Sequence, residues 1–212
     1  MRKDTKKDNI ELTDPLIEGV PTKLIIEIPF EILMNSELSL NEKLFLGLDF
    51  SLKNKLGFNQ VTSKDVGKLF NLHPNIVGDC RKSLLEKGYL LKEGRKYFLT
   101  DYYKTVEESE ESQENTKNKD RRNIKIPFEV YSNRALNKGE KLLWGEYNSI
   151  SKGVKGYFAS REYTANRLNV SVESVTNWTK SLNEKGLFKK YEIVSGYYTH
   201  QRKIITCRFD QK

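Results

Sequence analysis

Ile26-Glu27-Ile28-Pro29-Phe30-Glu31 returns 98 positions later as Ile124-Lys125-Ile126-Pro127-Phe128-Glu129. At the same offset Asn35 meets Asn133, Leu38 meets Leu136, Glu42-Lys43-Leu44 meets Glu140-Lys141-Leu142, and Gly47 meets Gly145. Further on, Lys82-Ser83-Leu84 meets Lys180-Ser181-Leu182, and Glu86-Lys87-Gly88 meets Glu184-Lys185-Gly186. Roughly twenty identities in order over about 65 positions exceed chance, so the chain reads as a tandem duplication. The match slips near Gly57 and Gly156, where a loop is expected. The implied layout is a loose tail over 1–20, a first unit over 21–103, a charged linker over 104–122 and a second unit over 123–212.

Each unit opens with a short strand pattern, Leu24–Pro29 and Ile124–Pro127, which the proline can end because it lacks a donor. A helix follows, capped by Ser39 or Asn41, with Leu44, Phe45, Leu48 and Leu52 at helical spacing. Leu142, Leu143, Tyr147 and Ile150 repeat it. Gly47 and Gly145 sit mid-helix at about 1 kcal/mol each, which implies close packing against another helix. A second helix starts at Thr62 or Ser63 and runs to Phe70, and its copy runs from Arg161 to Leu168 behind Ser160. After a tight turn a third helix spans about 74–87 and 172–185, with Pro74 and Ser171 at the starts and Gly88 and Gly186 past the ends. A hairpin closes each unit, turning at Glu93-Gly94 and around Ser195-Gly196. The expected fold is α+β, mainly α: two tandem winged-helix domains. They would pair as an internal pseudo-dimer whose central sheet takes in both opening strands and the hairpins.

Resemblance points the same way. The run from Leu168 to Phe188 looks like the helix-turn-helix of bacterial winged-helix regulators. Ile126-Pro127-Phe128-Glu129-Val130-Tyr131, with Leu136–Tyr147 and Gly156–Ser160, resembles the modules of replication and transfer proteins from plasmids, phages and conjugative elements of low-GC Gram-positive bacteria. The resemblance covers about the first 65 residues of the second unit and is looser in the first. It implies a double-stranded DNA-binding regulator or accessory factor at a transfer origin or promoter. A replication initiator or replisome organiser, and a protein-interaction adaptor that no longer binds DNA, are the competing readings. The first two would also engage transfer or replication machinery.

Charge supports DNA and locates it. The 212 residues carry a formal +8. The tail is −1, the first unit +2, the linker −1 and the second unit +8. The full excess therefore equals the charge of the second unit. No run of 18 apolar residues appears, so no membrane partner is expected, and the charged N-terminus is not read as a secretory signal. Two cysteines and two histidines leave little material for a disulfide framework or a metal centre, and fit a cytoplasmic chain. No phosphate-loop, dinucleotide, zinc-protease or paired-carboxylate motif occurs, so neither an enzyme nor a cofactor is expected. A monomer with an internal pseudo-dimer is favoured over an obligate oligomer.

The third helix of a winged helix enters the major groove and the wing meets the backbone or minor groove. In the second unit Val175, Trp178 and Leu182 line one side, where Trp178 reads as core, like its counterpart Cys80. The other side offers Ser171, Glu173, Ser174, Thr176, Asn177 and Lys180. Asn177 can pair bidentately with adenine and Glu173 can accept from cytosine, while Ser174, Thr176 and Lys180 suit phosphates. Arg161, at the start of the second helix, and Tyr198, Arg202 and Lys203, on the wing, complete this set. The first unit offers His73, Asn75, Arg81, Lys82 and, on its wing, Arg95. Asp79 lies among them, and this unit is expected to bind more weakly.

Overall fold

The computed structural model describes residues 20–21, 23–104, 121–151, 156–195 and 200–209. The tail, most of the linker and the tip of the second hairpin, Tyr198 included, lie outside the described residues. The fold is α+β and mainly helical. Its order is β1 (Ile26–Ile28), α1 (Phe30–Met34), α2 (Leu40–Leu56), α3 (Ser63–Phe70), α4 (Pro74–Glu86), β2 (Leu90–Glu93) and β3 (Lys96–Leu99). After a 3-10 turn at Tyr102–Lys104 come β4 (Ile124–Ile126), α5 (Phe128–Tyr131), α6 (Lys138–Ile150), α7 (Arg161–Leu168), α8 (Val172–Glu184), β5 (Phe188–Ser195) and β6 (His200–Thr206). The short helices α1 and α5 were not expected from the sequence. No helix among the described residues is long and apolar enough to cross a membrane.

Local chemistry sets the boundaries. Ser39, not Asn41, caps α2. Its hydroxyl accepts from the Glu42 amide at 3.3 Å while the Glu42 carboxylate accepts from the Ser39 amide at 2.7 Å. Asn137 and Glu140 form the same capping box on α6, at 3.0 and 2.7 Å. Thr62 and Ser160 cap α3 and α7. Both helices end on an asparagine in the left-handed region, Asn71 at φ 56° and Asn169 at φ 50°, which a short polar side chain tolerates. That turn aims the following helix.

The two halves meet along β1 and β4. The strands are antiparallel, pairing Ile26 with Ile126, Glu27 with Lys125 and Ile28 with Ile124. All four isoleucines are buried, while Glu27 and Lys125 form an ion pair at 3.7 Å. Helices α2 and α6 lie on this ribbon. Gly47 and Gly145 serve the strands rather than another helix: a Cβ there would stand 2.5 Å from Ile28 Cγ1 and 2.7 Å from Ile126 Cγ1. The hairpins do not join this sheet. β2–β3 and β5–β6 are separate two-stranded sheets, each tied to its own half by one bridge, Asn59 to Tyr97 and Tyr157 to Ile204. The expected continuous central sheet is therefore a two-strand ribbon, and one strand of each hairpin, β3 or β6, is bridged instead to the loop before α3 or α7 of its own half.

Contacts across the ribbon are reciprocal. Buried Lys43 of α2 donates to the Leu168 carbonyl at the end of α7 at 2.9 Å, and buried Lys141 of α6 donates to the Phe70 carbonyl at the end of α3 at 3.0 Å. Phe70 and Leu168 are 98 positions apart, as are the lysines. Each ammonium satisfies orphan carbonyls at a helix C-terminus. Burial pulls both lysines down to about 8.

One core column breaks the equivalence. Leu48 and Leu69 are buried in the first half, and their counterparts are Glu146 and Arg167. Arg167 Nε donates to the two Glu146 oxygens at 2.9 and 3.0 Å, with both side chains wholly buried. Its Nη2 donates to the Arg122 carbonyl at 2.9 Å, and the guanidinium lies 5.1 Å from the ring centre of Phe30 in the other half.

Candidate nucleic-acid interface

Helix α8 is held by one side. Val175, Thr179 and Leu182 are buried. Trp178 packs on the core and occupies the space where a Cβ on Gly139 would stand, so it is a packing residue resting on the backbone of α6. The other side faces solvent: Ser171, Glu173, Asn177 and Lys180 are exposed, and Ser174 and Thr176 are half-buried. Ser171 is also the N-cap, accepting from the Ser174 amide at 3.1 Å, and Thr176 donates back to the Val172 carbonyl at 2.9 Å. Glu173 and Asn177 thus stand one turn apart on the exposed face. Lys180 lies a turn beyond Thr176, 3.9 Å from Glu184 and largely in water.

Helix α4 has the same construction. Val77 and Leu84 are buried while Asn75, Ile76, Gly78, Asp79 and Lys82 are exposed. His73 caps it, Nδ1 accepting from the Asn75 amide at 3.3 Å, so its ring is tied to the helix start. Arg95 is exposed on the β2–β3 turn, flanked by Lys92 and Lys96.

Two expected DNA contacts belong to the core instead. Arg81 is buried: Nη2 donates to the Val61 carbonyl at 2.6 Å, Nη1 to Ser63 Oγ at 3.2 Å, and the guanidinium lies 4.4 Å from the Tyr97 ring centre. Arg202 is buried too, donating to the Ala159 carbonyl at 3.2 Å and the Tyr147 hydroxyl at 3.3 Å. Val61 and Ala159 are 98 apart. The same carbonyl before α3 and before α7 needs a donor, supplied from α4 in one half and from β6 in the other. The physical reason is satisfaction of buried acceptors, which a five-donor guanidinium serves well. In the first half buried Asp49 has its carboxyl pushed up to about 6 by burial, against the opposing pull of the Asn59 amide that donates to it and of the Arg81 charge. A signal existed: Asp49 sits on the apolar stripe of Phe45, Leu48 and Leu52 and requires a partner.

Lys203 is half-buried, 3.9 Å from Glu192 and 5.9 Å from the Phe158 ring centre, which restricts its reach. Arg161, at the first turn of α7, is half-exposed, with its Nε buried and without a hydrogen-bond partner among the described residues. Sequence reading passed over Arg134 and Lys138. Both are exposed, and they line a cleft of about 460 Å³ with Asn71, Leu72 and Ile76, where the turn before α4 meets the other half. Lys189 and Lys190 on β5 are exposed beside Arg208. Among the described residues no group of three or more histidine, cysteine or acidic side chains could hold a metal ion.

No family model, curated protein or solved structure matches this chain.

Proposed function

We propose that each half is a winged helix, that the halves form an internal pseudo-dimer, and that the chain binds double-stranded DNA as a regulator or accessory factor of a mobile element. Helices α3 and α7 support, α4 and α8 enter the major groove, and the two hairpins are the wings. One observation carries the reading. Helix α8 buries Val175, Thr179 and Leu182 and leaves Glu173, Asn177 and Lys180 exposed, on a half with a net charge of +8. Asn177 is suited to adenine and Glu173 to cytosine; Lys180, Lys189 and Lys190 are suited to phosphates. The first half, at +2 and with Asp79 on its face, is the weaker reader. No step of this role calls for catalysis or a cofactor. The mobile-element assignment rests on the resemblance of the segment from Ile126 to Ser160.

The test is DNA affinity against salt with the full chain. Several phosphate contacts predict log K falling steeply with log salt, by about 0.9 per phosphate neutralised. An adaptor without DNA affinity predicts no binding above background at low salt, and that result would overturn the proposal.

A further inference from the structure

We infer that the DNA target consists of two half-sites in inverted orientation, at one fixed spacing, and unequal in sequence, so that the protein sits on DNA with a single polarity. This rests on the DNA-binding reading above. Its basis is the way the two halves are joined.

The β1–β4 ladder is centred on Glu27 opposite Lys125, positions that are equivalent under the repeat. Ile26 faces Ile126, the counterpart of Ile28, and Ile28 faces Ile124, the counterpart of Ile26. Exchanging the halves returns the ladder to itself. Antiparallel pairing of equivalent strands has this property, and here the centre falls on the Glu27–Lys125 pair. The lysine contacts pass the same test, since Lys43 reaches Leu168 and Lys141 reaches Phe70. Contacts in which i meets j and j meets i define a two-fold relation, as in an isologous dimer. A two-fold pair of recognition helices meets B-DNA with its axis on a DNA dyad, which orients the half-sites as an inverted repeat.

The join also fixes spacing. Four buried isoleucines and two buried lysines hold the halves. The cleft holding Asn71, Leu72 and Ile76 beside Arg134 and Lys138 brings the start of α4 to the boundary between the halves. Arg134 and Lys138 then face the phosphates of the central base pairs.

The half-sites differ because the faces differ. Lys82 and Lys180 are equivalent, which keeps the backbone contact common to both halves. The other positions on this side of the helix are not: Asn75, Ile76, Gly78 and Asp79 stand where the second half has Glu173, Ser174, Thr176 and Asn177, of which Glu173 and Asn177 are the base readers. The target is two-fold in geometry and not palindromic in letters.

The experiment selects duplexes from a random library with the full chain. It is repeated with Asn75→Glu/Ile76→Ser/Gly78→Thr/Asp79→Asn, which gives α4 the exposed face of α8. All four positions are exposed, and a Cβ at Gly78 meets nothing within 4 Å. The wild type is expected to select a two-part asymmetric site, and the variant a palindrome of the stronger half-site. A direct repeat of that half-site, or an unchanged site, overturns the inference. Should the variant fail to fold by circular dichroism, the wild type decides on its own selected site. Reversing the weaker half-site in place, or inserting 5 base pairs between the halves, is expected to lower affinity about ten-fold or more. Equal affinity for all three duplexes overturns the inference while leaving DNA binding intact. Absence of binding to any duplex overturns the DNA reading itself.

Discussion

Replacing Glu146 strands Arg167 in the core. Glu146→Leu leaves a guanidinium, wholly buried, with the Arg122 carbonyl and the Phe30 ring as its remaining partners. Arg167→Met leaves a carboxylate beside the Tyr157 hydroxyl, 3.2 Å away. The guanidinium left by Glu146→Leu is uncompensated, at a cost of about 3–5 kcal/mol. For a chain of this size that lowers Tm by roughly 6–20 °C. The double variant Glu146→Leu/Arg167→Met behaves differently, because the first half already places Leu48 and Leu69 in the equivalent column. Desolvating two ions is avoided and the volume is kept, so its stability falls within about 1.5 kcal/mol of the wild type or rises. A double-mutant cycle by urea unfolding then gives a coupling energy above about 3 kcal/mol. Additive effects, with the double variant as unstable as the two singles together, would refute the reasoning. Such a result would mean that the pair contributes through its separate contacts to Arg122, Phe30 and Tyr157.

Three further outcomes are expected. Arg81→Ala removes the donor to the buried Val61 carbonyl and destabilises by about 1–3 kcal/mol, whereas Asn177→Ala leaves Tm unchanged and relaxes base preference in a competition assay. Lys43 and Lys141 are held near 8 while an unfolded lysine titrates near 10.5, so above pH 8 the unfolded chain binds more protons. Stability therefore rises from about pH 8 towards 10, and Lys43→Met/Lys141→Met removes that rise in a series of denaturant midpoints. Gly145→Ala forces a Cβ against Ile126 and lowers stability by about 1–3 kcal/mol, against the usual gain from alanine in a helix.

Much of the architecture was legible because it was written twice. The helix starts at Ser160 and Ser171, Gly88 and Gly186 past the ends, and the apolar stripes of α2 and α8 are local features, and each is encoded within one or two helical turns. The exposed face of α8 followed from the same periodicity. Arg81 and Arg202 were misread because a basic residue on a helix or hairpin carries no local mark of being buried. Only the approach of the Val61 and Ala159 carbonyls decides that. Arg134 and Lys138 were passed over for the converse reason, since the cleft they line is formed by chain from the other half.

The sequence by itself therefore determined the repeat, the order of the longer elements, most of their ends and the location of the excess charge, which are read along the chain without knowing its contacts. The tertiary structure alone decided the symmetric register of β1 on β4, the reciprocal lysines, and the exchange of a Leu48–Leu69 column for Glu146–Arg167. The first two depend on residues 71 to 125 positions apart coming into contact and the third on residues 21 apart, where close packing and the satisfaction of buried polar groups select among partners that composition and periodicity leave equivalent.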